Sequence, residues 1–171
     1  IHRGVFLTRN IVGRPLKPPP VAIEFKDGEF DPSLTMREKV TQVTRDNACM
    51  SCHSIINPLG FSLEEFDAIG RLRKEDNSKP VNTTSDYTTD SGEKVTFTGA
   101  RDVAQHAAES PTAHQAFVNH LFHYTVKQPI SAYGKHIPSQ LRVQFEKSAF
   151  NIRDLLAEIV TVSAVAGTTL E

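Results

Sequence analysis

The sequence predicts a mainly α-helical chain in two parts, with a small β-hairpin at the end of the first. Three observations carry this. Helix-start signatures recur. Thr35-x-x-Glu38 and Ser62-x-x-Glu65 read as capping boxes, Ser110-Pro111 as an N-cap followed by proline in the first turn, and Asn151 with Asp154 as a further start. Between them, residues 74–99 are rich in Asn, Thr, Ser, Asp and Gly, with one alternating run at Lys94-Val-Thr-Phe-Thr98. Over 171 residues, 39% hydrophobic and 23% charged content suits a globular protein able to bury a core in one domain or two closely packed lobes.

Taken in order, residues 4–8 form a short apolar run expected as a strand or strap. Arg14-Pro-Leu-Lys-Pro-Pro-Pro20 excludes a helix and favours extended polyproline II, read as a rigid wrap across its own domain. A helix over about 36–47 places Met36, Val40 and Val43 on one face. Asn57-Pro-Leu-Gly-Phe61 reads as a turn, and Ser62 opens a short helix to about Ala68. The strand at 94–98 is expected to pair with the region of Val81 through a turn near Asp90-Ser-Gly92. Asp86 and Asp90 lack the fixed spacing of a calcium loop. Helices then follow over about 100–108, 111–127 and 138–147. A last one starts after Asn151, with Ile152, Leu155, Leu156, Ile159 and Val160 on a broad apolar face. The domain division falls at 1–98 and 99–171, the second part a helical bundle packed against the first.

The chemistry is concentrated in Cys49-Met50-Ser51-Cys52-His53, a C-x-x-C-H run of the kind that attaches haem c. Two thiols three positions apart can add to the two vinyl groups on one haem edge. The imidazole that follows is then delivered beneath the macrocycle as the proximal iron ligand. Cys49 and Cys52 are thus expected as thioether anchors of one covalently bound haem and His53 as the fifth ligand. A backbone carbonyl in the 57–61 turn is expected to accept the His53 Nδ1–H. A thioredoxin-like pair would need a βαβ setting, which the helical surroundings do not supply. A structural zinc site needs four ligands, and these are the chain's only two cysteines. A disulfide between them would close almost no loop. The fold expectation is therefore a c-type cytochrome-like helical domain followed by the C-terminal bundle.

The sixth iron position decides the chemistry. Met50 lies inside the attachment loop, Met36 precedes it, and no methionine follows, so a downstream methionine ligand is excluded. On the helix after Pro111, His114 shares a face with Phe117, Leu121 and Tyr124, while His123 points nearly opposite. These two are the candidate distal ligands. Arg71 and Arg73 are candidate contacts to the haem propionates.

A formal net charge of −1 gives no electrostatic case for binding nucleic acid or an anionic membrane. No apolar run approaches the length of a membrane span, and any export signal is expected upstream of these residues. The first residue is Ile1, so a fragment or processed product is expected. Haem attachment of this kind is normally completed outside the cytoplasmic membrane, which points to a periplasmic or otherwise exported home.

The run Arg37-Glu38…Cys49-x-x-Cys52-His53…Asn57-Pro-Leu-Gly-Phe61-x-Leu-Glu64-x-Phe66-Asp67-Ala-Ile-Gly70-Arg71 resembles the haem-bearing C-terminal region of large exported cytochrome c proteins of planctomycete-type bacteria. The later Ala116-Phe117-Val118…Leu121-Phe122-x-Tyr124 resembles the helical domain that follows it there, and Arg3-Gly4-Val5-Phe6 with the prolines resembles the start of the same unit. The resemblance implies two adjoining domains of unassigned function at the end of a longer polypeptide. Relatives often carry a histidine where this chain has Val43, and Trp where it has Leu72. The expected function is single-electron transfer to a redox partner protein or to upstream domains of the same polypeptide. Its rivals are a five-coordinate haem enzyme or sensor, reducing peroxide or binding a gas, and a structural haem domain of a surface protein.

Overall fold

The computed structural model describes residues 1–18 and 30–166. Pro19 and Pro20, the end of the expected polyproline wrap, lie outside the described residues. The chain is mainly helical, with seven α-helices and two small antiparallel sheets among the described residues. It divides into two compact units, one of Ile1–Asn10 and Arg14–Ala107, the other of Ile11–Gly13 and Ala108–Glu171.

In the first unit, α1 (His2–Phe6) runs into a π-helical turn, Leu7–Ile11. The strand expected here is replaced by helix because α1 packs closely on α3 (Asn47–Phe61), where two glycines remove the side chains that would hold the backbones apart. A Cβ on Gly4 would sit 2.2 Å from the Ile56 carbonyl oxygen, and one on Gly60 3.3 Å from the Gly4 backbone. Between them in the sequence comes α2 (Met36–Val43), opened by the expected capping box: the Thr35 hydroxyl accepts from the Glu38 amide, and the Glu38 carboxylate accepts from the Thr35 amide.

Helix α3 corrects two expectations. The Asn57-Pro58 stretch is not a turn. It is the last part of α3, because Asn57, Leu59, Gly60 and Phe61 are all buried, and burial outweighs the local cost of Pro58. Nor does Ser62 open a helix. It caps the C-terminal end of α3, its hydroxyl donating back to the Leu59 carbonyl, and residues 62–65 form turns instead. Glu64 in those turns accepts from Arg3 and Arg73, whose guanidinia also bond the carbonyls of Leu63, Phe66 and Glu64.

Beyond the turns, β1 (Glu75–Asp76) pairs with β2 (Lys79–Pro80). A hairpin of two four-residue strands pairs β3 (Ser85–Thr88) with β4 (Lys94–Phe97), with Tyr87 opposite Val95. The turn falls where expected, but the partner of β4 is 85–88 rather than the Val81 region. Pairing there buries Tyr87 and Phe97 on one face, their rings stacked at 5.3 Å with His106 of α4 (Ala100–Glu109) against both.

The second unit holds the expected helices. Helix α5 (Pro111–Val126) is capped by Ser110 and ends at Lys127 in the left-handed conformation. Helix α6 (Ile137–Lys147) follows, and α7 (Ile152–Ala166) starts where the Asn151 side chain accepts from the amides of Arg153 and Asp154. Their core joins Val118, Phe122, Ile130, Ile137, Leu141, Phe145, Leu155 and Ile159. The apolar face of α7 is narrower than its sequence suggests: Leu155 and Ile159 are buried, whereas Ile152 and Val160 are exposed.

Candidate functional site

The C-x-x-C-H run lies in the first half of α3, after Asp46 at the N-cap. At helical spacing, Cys49, Cys52 and His53 fall on one side, Cys49 a turn before the other two. Both cysteines are free thiols, partly exposed, and His53 is partly exposed beside them. Met50 and Ser51 point to solvent, the Ser51 hydroxyl bonding the Ala48 carbonyl at 2.7 Å.

Behind His53 the structure shows a buried hydrogen-bond chain. The imidazole Nδ1 lies 2.9 Å from Oδ1 of Asn57, one helical turn on. The Asn57 amide nitrogen donates to the Thr44 hydroxyl at 2.8 Å, and that hydroxyl donates to the Val40 carbonyl at 2.9 Å. Thr44 is 2% exposed and Asn57 8%. The backbone carbonyl expected as the Nδ1 acceptor is thus replaced by a side chain.

The direction of the chain follows from its last member. A carbonyl oxygen only accepts, so the Thr44 hydroxyl gives its proton to Val40 and presents a lone pair to Asn57. Asn57 meets it with its NH2 group, which turns Oδ1 toward His53. A neutral imidazole then carries its proton on Nδ1 and its lone pair on Nε2. Reversing the amide would forfeit the Thr44–Val40 bond, one of three in the chain. Two unpaired thiols and an adjacent imidazole with a free Nε2 form the donor set that suits two vinyl groups and an iron centre.

The other candidate residues are held in different ways. All three Arg73 guanidinium nitrogens are engaged: Nε with the Glu64 carbonyl, Nη2 with the Glu64 carboxylate at 2.6 Å, and Nη1 with Asp76 at 3.2 Å. Arg71 is largely exposed and pairs through Nε with Asp67 at 2.8 Å. In the second unit, His114 bonds Glu146 through Nδ1 at 3.0 Å and the Ala108 carbonyl through Nε2 at 2.9 Å, with Phe150 edge-on to its ring. The bond from His114, reinforced by Arg142, holds the Glu146 carboxyl below its ordinary range. His123 is exposed on α5. Val43 is the last residue of α2, and Leu72 is 65% exposed.

A polar groove of about 500 Å3 opens along α2, lined by Arg37, Thr41, Arg45, Glu64, Lys79 and neighbours. Cys49, Cys52 and His53 are not among its lining residues. Arg37 crosses its wall with its guanidinium 4.5 Å from the Phe61 ring centroid and donates to the carbonyls of Asn82 and Thr84.

Of the polar partners, Asn57 was within reach of sequence reasoning. It stands four residues after His53, the spacing at which helical side chains meet, but reading 57–61 as a turn removed that neighbour. Thr44, in the link between two helices, carries no comparable signal.

A family model described as PSCyt3, protein of unknown function (DUF1588), matches residues 1–76, less than half of the chain but including the whole C-x-x-C-H run and its Asn57–Thr44 support. No curated protein and no solved structure matches the chain. No helix among the described residues is long and apolar enough to cross a membrane.

Proposed function

We propose that this chain is a monohaem c-type cytochrome domain of an exported protein, passing single electrons to a partner protein or to other domains of a longer polypeptide. One observation carries the reading: two free thiols and an imidazole share one side of α3, and the imidazole Nδ1 is held by the Asn57–Thr44–Val40 chain. The description of the matched family, with its reference to Cyt, supports the same direction.

In this reading Cys49 and Cys52 hold the haem edge through thioether bonds, and His53 ligates through Nε2. Asn57 accepts the Nδ1–H and so fixes ring orientation and raises the basicity of the ligand. A haem bound there supplies a one-electron iron couple. The chain's own part is to orient the imidazole and to keep the proton on the far nitrogen. His114 has both ring nitrogens engaged within the second unit, by Glu146 and by the Ala108 carbonyl.

The test is expression of the chain together with a c-type haem-attachment system. A pyridine haemochromogen spectrum of the two-thioether type is expected, with haem retained on a denaturing gel and lost in a Cys49→Ser, Cys52→Ser double variant. Absence of covalent haem in the wild-type chain would sink the proposal. Carbon monoxide added to the reduced protein separates the roles. An unchanged low-spin spectrum supports electron transfer, whereas an immediate shift moves the function to ligand binding or peroxide chemistry.

A further inference from the structure

We propose that Thr44 is a positioning residue: acting through Asn57, it decides which nitrogen of His53 keeps a free lone pair. The Asn57 side chain alone cannot make that choice, because its amide offers an acceptor on one side and donors on the other and fits either way round. Thr44 breaks the symmetry. Its hydroxyl stands four residues after Val40 at the end of α2, where donation to the Val40 carbonyl at 2.9 Å is favoured by helix geometry. With that proton committed, the oxygen facing Asn57 is an acceptor, and the amide nitrogen must turn to it at 2.8 Å.

Burial sharpens the choice. Thr44, Asn57 and Val40 are all buried, so an amide placed the wrong way could not be relieved by solvent. The relay joins two helices: Val40 belongs to α2, His53 and Asn57 to α3, and Thr44 is the C-cap that leads from one to the other. The imidazole of the C-x-x-C-H run is therefore oriented by a residue outside that run. The importance of this for iron binding rests on the reading of His53 as the axial ligand; the choice of tautomer does not.

The experiment compares the full 171-residue chain with Thr44→Val and Thr44→Ser variants. Long-range nitrogen–proton NMR spectra of His53 report which ring nitrogen is protonated. The wild-type and Thr44→Ser chains are expected to show only the Nδ1-protonated ring. Thr44→Val, close in shape but without the hydroxyl, is expected to lose that single form and show both. In the haem-loaded proteins the same substitution is expected to raise the midpoint potential, and serine to restore it, since a less firmly bonded imidazole is a weaker donor to iron. A valine variant with the wild-type tautomer overturns the proposal. So does a wild-type ring protonated on Nε2, a result that stands even if the valine variant does not fold. A chain that never accepts haem removes the ligand role of His53, yet the tautomer comparison still decides the part played by Thr44.

Discussion

Glu64 shows how a single residue can fasten distant parts of a small unit. It is 7% exposed and accepts from Arg3 at 3.1 Å and from Arg73 at 2.6 Å, joining α1 to the turns after α3. Both guanidinia keep part of their surface in water, so removing the carboxylate costs less than the loss of a partner in a wholly buried pair. Glu64→Leu is expected to destabilise the chain by about 2 kcal/mol, read from the urea unfolding midpoint. A midpoint equal to that of the wild type would show that the two arginines do not depend on it. Glu38 gives the pH-dependent counterpart. Hydrogen bonds from Lys79, and then from the Thr35 amide, lower its carboxyl from 4.5 to about 2. The unfolded chain thus takes up this proton first, and the contribution of Glu38 is complete above pH 4.5 and lost as pH falls through about 2. Lys79→Met is expected to move the Glu38 titration upward, followed by carbon NMR of the carboxyl. An unmoved titration would assign the shift to the capping box alone.

At the scale of elements, the close crossing of α1 and α3 is the most exacting contact of the first unit. Alanine has a better helix propensity than glycine by roughly 1 kcal/mol, so Gly4→Ala would stabilise an isolated helix. Here the added carbon would lie 2.2 Å from the backbone carbonyl of Ile56, which cannot rotate away. Overpacking of this kind costs roughly 1–3 kcal/mol and exceeds the gain. The expected result is a lower melting temperature and shifted amide resonances in α1 and α3; an equal or higher one would show that the crossing can open. The same contrast explains what could be read from sequence. Capping at Thr35, Ser110 and Asn151 is decided within four residues, and α2, α5 and α7 start where those residues indicate. Helix α1 and the last turn of α3 are decided by each other across some fifty positions, and local propensity misreads both. Ser62 has the letters of an N-cap, but its hydroxyl turns back to Leu59 because the helix behind it had not yet ended.

Over the whole molecule, the groups that support His53 all belong to one unit, while the hydrophobic core around Leu141 belongs to the other. Leu141 is fully buried, and Leu141→Ala is expected to cost about 2–5 kcal/mol while leaving the yield of covalent haem unchanged. Thermal unfolding and a haem-stained gel check the two halves of that statement. A parallel loss of haem would tie attachment to the second core. The candidate site was legible to an uneven degree for a physical reason. Cys49, Cys52 and His53 announce themselves because the covalent chemistry proposed for them would fix their spacing along the chain. Asn57 and Thr44 act through space, and their partners are set only by the meeting of α2 with α3.

That meeting also has a place in time. Before α2 and α3 come together, His53 has no Asn57 amide held in one direction, and its proton exchanges freely between the two ring nitrogens. Once Asn57 has closed on Thr44, whose proton Val40 holds, the ring is committed. The thiols need no such preparation, since their spacing is present in the extended chain. In the haem reading proposed above, tethering and ligation would thus be separable events, the first open to a chain still on its way to its folded form, the second completed by folding itself.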